Sequence, residues 1–123
     1  MIARSTVAAF ALALMIVAPV QAVAQPAPSF LAKCGELRKA VGNLKQKDDE
    51  LITIEVEGEL TTVKSDGALV YLLMCRPPDP MVLCVTYETN GRKAGERVTL
   101  TGSYSQRGPN HILLDPCLHR LPE

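Results

Sequence analysis

The chain contains no tryptophan, two phenylalanines and three tyrosines, so aromatic residues make up 4% of its 123 positions. A stacking platform for bases needs several exposed rings, and this supply cannot build an extended one. Charge of one sign is also missing in excess: Lys and Arg total 13, Asp and Glu total 13, and the isoelectric point is about 6.7. That balance argues against nucleic acid as a partner, since a general electrostatic binder has a domain pI above about 9. Beyond the first two dozen residues no apolar run approaches the roughly 20 residues that a spanning helix needs. No G-x-S-x-G, P-loop, H-E-x-x-H or C-x-x-C occurs, which removes the familiar nucleophile, phosphate-cradle, zinc-protease and redox signatures. Ser103 and Ser105 flank Tyr104 with no recognisable base partner. The expectation is a protein that is not an enzyme and carries no cofactor.

What is present begins with Arg4, an apolar stretch from Val7 to Val20 interrupted at Pro19, and Ala22-Val23-Ala24. This order reads as a Sec-type secretory signal peptide over 1–24, followed by a Pro/Ala-rich flexible lead-in at 25–29. The mature chain is then periplasmic or secreted and has no membrane span. Cys34, Cys75, Cys84 and Cys117 all lie in that mature part. An even cysteine count in a small exported domain points to two disulfides. A domain of this size buries only about two thirds of its unfolded surface and gains from covalent support. Three pairings are open. Placement of the cysteines on the strands described next ranks Cys75 with Cys84, across a hairpin, and Cys34 with Cys117 ahead of the others.

Phe30, Cys34, Leu37, Val41 and Leu44 recur at helical spacing, which predicts a helix over 30–46 with Ser29 as its N-cap. Gly35 weakens that helix by about 1 kcal/mol relative to alanine, so packing must hold it. From Leu51 the period becomes two: Ile52, Ile54, Val56 and Leu60 share one face, and Thr53, Glu55, Glu57, Glu59 and Thr61 the other. Gly58 falls on the inward face, where a missing side chain permits a bulge or bend. Ser65-Asp66-Gly67 reads as a tight turn. Ala68 to Cys75 is almost continuously apolar and reads as a strand covered on both faces, ended by Pro77, Pro78 and Pro80. Met81 to Glu88 forms a third strand and Val98 to Tyr104 a fourth. Ser105 to Asn110 reads as a loop, and His111 to Leu114 as a short fifth strand ended at Pro116. Five closely spaced strands over 51–123 predict a small barrel.

Gly95-Glu96-Arg97-Val98-Thr99-Leu100-Thr101-Gly102, with Ile112-Leu113-Leu114-Asp115 after a loop, resembles the fourth and fifth strands of OB-fold domains, and Leu51 to Cys117 has the matching strand count and order. The chain is similar to small exported bacterial OB-fold proteins that bind ligands or partners. The fold class expected is therefore mainly β, a small five-stranded OB-like barrel with one N-terminal helix. One departure is visible: Thr89 to Glu96 is too short and glycine-rich for the helix that OB folds commonly place between the third and fourth strands. The resemblance implies a ligand face over the second and third strands and the adjoining loops. By position this implicates Lys64, Tyr71, Tyr87, Arg107 and His111.

Two further sets of residues invite a metal or cation reading. His111, Asp115, Cys117 and His119 share one parity along an extended chain and could ligate a transition metal, although the spacing matches no strong zinc pattern. Glu55, Glu57 and Glu59 form a carboxylate ladder that could hold a hard cation, or could be a solvated face that blocks edge pairing. The leading expectation is a disulfide-stabilised, non-catalytic binding or interaction module whose partner is an envelope protein or a small ligand. A metal- or cation-binding envelope protein and an oligonucleotide-binding OB domain are the alternatives.

Overall fold

Six strands and one helix organise the chain in a computed structural model that describes residues 11–16, 28–44 and 50–123. Most of the expected leader and part of the lead-in lie outside the described residues. The elements are β1 (Leu31–Lys33), α1 (Cys34–Gly42), β2 (Thr53–Ser65), β3 (Val70–Met74), β4 (Met81–Thr86), β5 (Arg97–Gly108) and β6 (His111–Arg120). Pairing runs β2–β3–β4–β6–β5 and returns from β5 to β2, closing a five-stranded barrel. The β4–β6 pair is parallel and the other barrel pairs are antiparallel. This is a small OB-like barrel, in which a long first strand serves both halves of the sheet. Residues 53–59 of β2 pair with β5 and residues 60–65 with β3, the register shifting between Leu60 and Thr62.

Alternation along the strands fills the interior. Ile54, Val56, Leu60, Leu72, Met74, Val82, Val98, Leu100, Ile112 and Leu114 are all completely buried, so the period-two pattern delivers one continuous core. Gly58 lies on that inward side, as expected, but the register shift falls two residues later. An added Cβ at 58 would sit 2.9 Å from the Cys34 sulfur and 3.1 Å from that of Met74. The missing side chain is the space that these sulfurs occupy.

The helix is shorter than the predicted 30–46. Ser29 N–H donates to the Thr53 carbonyl at 2.8 Å and Glu55 N–H to the Phe30 carbonyl at 3.0 Å, and β1 runs parallel to β2 from Leu31 to Lys33. The edge of β2 below β3 would otherwise be bare, so its main-chain groups draw residues 29–33 into the ladder. Ser29 is thus no N-cap. Lys33 takes that position without a side-chain cap bond. Strand polarity places the β3–β4 loop and the β5–β6 turn at one end of the barrel, and α1 covers this end. Leu37 is fully buried there, while the Arg38 guanidinium donates to the carbonyls of Pro78 (2.7 Å) and Pro109 (3.3 Å) and to Asn110 Oδ1 (2.7 Å).

Three further expectations are corrected. Residues 105–108 extend β5 rather than forming a loop, leaving only Pro109 and Asn110 as the turn. Strand β6 continues past Pro116 to Arg120, because Asp115 and Pro116 together face Ser103 as a bulge between the pairs Gly102–Cys117 and Tyr104–Leu114. A proline that cannot donate to the ladder is tolerated at such a bulge. Gly102 permits the close approach: a Cβ there would lie 2.6 Å from the Pro116 carbonyl oxygen.

The disulfides join Cys34 to Cys75 and Cys84 to Cys117, and no free cysteine remains. Two disulfides stand as expected, but the favoured pairing does not. Across β3–β4, Cys84 lies opposite Leu72 and Val82 opposite Met74. Cys75 falls beyond the last paired residue, three positions out of step with Cys84, and its φ of 73° turns the chain away. It meets the start of α1, where β1 ends beside β2. Cys84 instead reaches β6, its parallel neighbour.

Candidate functional site

The outer surface of β3, β4 and β6 is apolar where an ordinary sheet face would be polar. Tyr71 and Leu73 on β3, Met81, Leu83 and Val85 on β4, and Leu113 on β6 are all half-buried, alternating with the buried core residues. Register aligns Leu73, Leu83 and Leu113 in one cross-strand row, with Tyr71 and Val85 in the next. The expectation that β3 is covered on both faces is corrected: among the described residues there is one sheet, and its one helix packs chiefly on β1 and β2 rather than across this outer side.

Tyr71 anchors the edge of the row. Asp66 Oδ1 accepts N–H bonds from Ala68 (2.9 Å) and Leu69 (2.7 Å), and the Tyr71 hydroxyl donates to Oδ2 at 2.8 Å. These bonds to the ionised form, Leu69 and Ala68 foremost, hold the Asp66 carboxyl below its ordinary value. The same bond to Asp66 holds the Tyr71 phenol above its ordinary value, with burial and the more distant Asp115 charge adding to it. Burial also raises the Tyr104 phenol.

The residues expected at a ligand face do not converge. Lys64, exposed, pairs with Tyr71 near the β2–β3 turn. Arg107 and His111 lie at the opposite end of the barrel, His111 being level with Met81. Met81 and Val85 are four residues apart on β4, about 13 Å along the strand. Tyr87 follows β4 and is 75% exposed.

The metal readings dissolve in a similar way. Glu55 accepts from Thr101 Oγ1 at 3.2 Å and pairs with Arg120 at 3.5 Å, Glu57 pairs with Arg97 at 3.5 Å, and exposed Glu59 lies across from Arg97 in the ladder. Arginines on β5 and β6 therefore answer the carboxylate ladder. His119 is likewise committed, with Nε2–H donating to the Glu88 carbonyl (2.8 Å) and Nδ1 accepting from Arg92 Nε (3.1 Å). Arg92 in turn pairs with Glu96 at 3.2 Å, which latches the β4–β5 connection over that end of the barrel. His111 sits at the far end of β6, and the bulge at Asp115 breaks the alternation that would have aligned the set. Among the described residues no group of three His, Cys, Asp or Glu side chains could hold a metal ion.

A groove of about 340 Å³ on the adjoining side of the barrel was not foreseen. It lies over the Asp115–Pro116 bulge, between exposed Leu51 and Leu118. The bulge that creates it leaves no periodic signal in the sequence. The apolar row was visible only as alternate positions in two uninterrupted apolar runs.

No protein-family model and no curated protein matches the chain. Solved structures do match, among them a chain of the S. pombe Stn1–Ten1 complex at 9% identity and a TM-score of 0.40, covering 55% of this chain and 57% of that one. The closed OB-like barrel itself corrects the expectation that sets nucleic acid aside, because it leaves that partner class open. Whole-chain charge balance does not report on one face, and the face over the second and third OB strands binds oligonucleotides and oligosaccharides across the fold class.

Proposed function

We propose that this chain is an exported, disulfide-braced, non-catalytic OB module that docks a partner protein on the outer face of β3, β4 and β6. One observation carries the reading: the Leu73–Leu83–Leu113 row faces outward, and apolar patches of this kind mark interaction sites. Export is supported by the two disulfides, which persist in oxidising compartments. No helix among the described residues is long and apolar enough to cross a membrane. Oligonucleotide binding on the same face is the second reading, favoured by Lys64 standing beside the Tyr71 ring at the edge of the row.

Site-specific photocrosslinking in the native cell tests both. A photoreactive residue at Leu83 should give a discrete protein adduct that Leu113→Lys abolishes, while the same residue at exposed Lys93 should give none. A nucleic-acid adduct, falling steeply as salt rises, would transfer the site to the second reading. Equal labelling from both positions would refute docking on this face.

A further inference from the structure

From the groove over the β6 bulge we infer a second binding site, for a small organic cation: an amine or guanidinium carried on an apolar body. Its walls are Leu51, just before β2, and Leu118 on β6, 75% and 59% exposed, with Pro116 of the β6 bulge also in the lining. Thr53 and Ser103, opposite each other in the β2–β5 ladder, contribute to its floor, and neither side chain has a hydrogen-bond partner among the described residues. The lining carries a single charge, Asp115. Its carboxylate is exposed and makes no hydrogen bond or ion pair among the described residues.

This isolation is unlike the other carboxylates nearby. Glu55 and Glu57, on the same side of the barrel, are matched to Arg120 and Arg97, so those two arginines are already engaged. Asp115 is held out of that pairing by the bulge, in which two residues face Ser103 and the carboxylate is carried to the rim of the groove. An apolar trough with one unanswered negative charge at its edge complements a ligand of opposite design, apolar along its length and positive at one end. The volume is at the lower bound of small-molecule sites, about 300 Å³. It suits a ligand with a single ring or short alkyl chain. A carboxylate also gives directionality, because an ammonium has three donors and can bond Asp115 and a floor hydroxyl together. The groove adjoins the docking face, since Asp115 follows Leu113 on β6 and its charge reaches the Tyr71 phenol, but its assignment does not depend on that reading.

Amide chemical-shift titration of the mature, oxidised protein tests it, with phenethylammonium, phenethyl alcohol and phenylacetate as size-matched probes. For ligands this small the dissociation constant of the cation should be on the order of millimolar. The shifts should centre on residues 101–103 and 115–118, and the cation should bind about tenfold more tightly than the anion. Asp115→Asn should remove that preference and leave weak, charge-blind binding. Leu118→Ser should weaken all three probes, since it removes a wall without touching the charge. Both positions are exposed, so the fold and the two disulfides should survive either change. Equal binding of cation and anion, a preference that persists in Asp115→Asn, or no saturable shift in the groove would each overturn the assignment.

Discussion

Replacing Gly58 by alanine should destabilise the protein only while the Cys34–Cys75 disulfide is intact. An ideal Cβ at 58 would lie 2.9 Å from Cys34 Sγ, 3.1 Å from Met74 Sδ and 3.2 Å from Met74 Cγ. The end of a methionine can swing aside, but Cys34 Sγ is tied to Cys75 at the end of β3 and cannot. Overpacking of this kind costs about 1–3 kcal/mol. Glycine 58 does not sit in the left-handed region, so the methyl also removes unfolded-chain freedom worth about 0.4–1 kcal/mol. The net loss should be about 1–2 kcal/mol, by difference of those two effects. In a Cys34→Ser/Cys75→Ser background the smaller, untethered oxygen can rotate away, and the substitution should become neutral or slightly stabilising. The coupling between the two changes is then about 1–2 kcal/mol, within the range for residues in contact. The measurement is a four-variant guanidinium unfolding cycle at constant m-value. Removing the disulfide itself costs about 4 kcal/mol for its sequence separation of 41, while Cys84–Cys117 holds the barrel in all four proteins. Additive losses, equal in both backgrounds within about 0.5 kcal/mol, would refute the steric account of Gly58.

Leu37→Ala should cost about 2–5 kcal/mol, because this fully buried side chain is the helix's plug in the barrel end; hydrogen exchange should show α1 amides losing protection first. Tyr71→Phe should raise the Asp66 titration followed by carboxyl NMR and remove one of the late-ionising phenols from an absorbance titration. The signs are opposite for the two partners. Asp66, lowered in the folded state from its ordinary 3.8, supports the turn above that value and ceases to as pH falls through its folded value. Tyr71, raised from its ordinary 10.0, contributes fully below that value and loses its contribution as pH rises through its folded one. The hydrogen bond that joins them is open to solvent, so the titrations themselves, rather than the unfolding free energy, are the readout.

Local pattern made the core of the fold legible and left the connections obscure. The alternation Ile52, Ile54, Val56 and Leu60 has a physical cause that acts within one strand, the two-sided projection of side chains, and the structure buries all four. The helix boundary depends instead on a competitor elsewhere in the chain. Ser29 and Phe30 have a helical context locally, yet the open edge of β2 offers main-chain bonds that a helix start does not. Strand β6 follows the same logic. Pro116 ends a strand by local rules, and only the bulge opposite Ser103 lets β6 continue to Arg120.

The cysteines and the outer row show why the site was less legible than the core. In Val70–Met74 and Met81–Thr86 nearly every position is apolar, and a run with both faces apolar is indistinguishable in sequence from one with both faces covered. What separates the two is whether another layer lies against the sheet, and topology decides that. The barrel consumes the inner face, and α1, which could have covered the outer one, is drawn to the barrel end by Leu37, Arg38 and Cys34. The parallel β4–β6 pairing, between strands 30 positions apart by their Met81–His111 register, then extends the apolar row from two strands to three and brings Cys84 within reach of Cys117. One non-local pairing thus accounts for both the misread disulfide and the unforeseen surface. A variant that weakened the β4–β6 ladder would therefore disturb the row and the Cys84–Cys117 bond together, while the Cys34–Cys75 bond, set by β1 and β3 against β2, would persist.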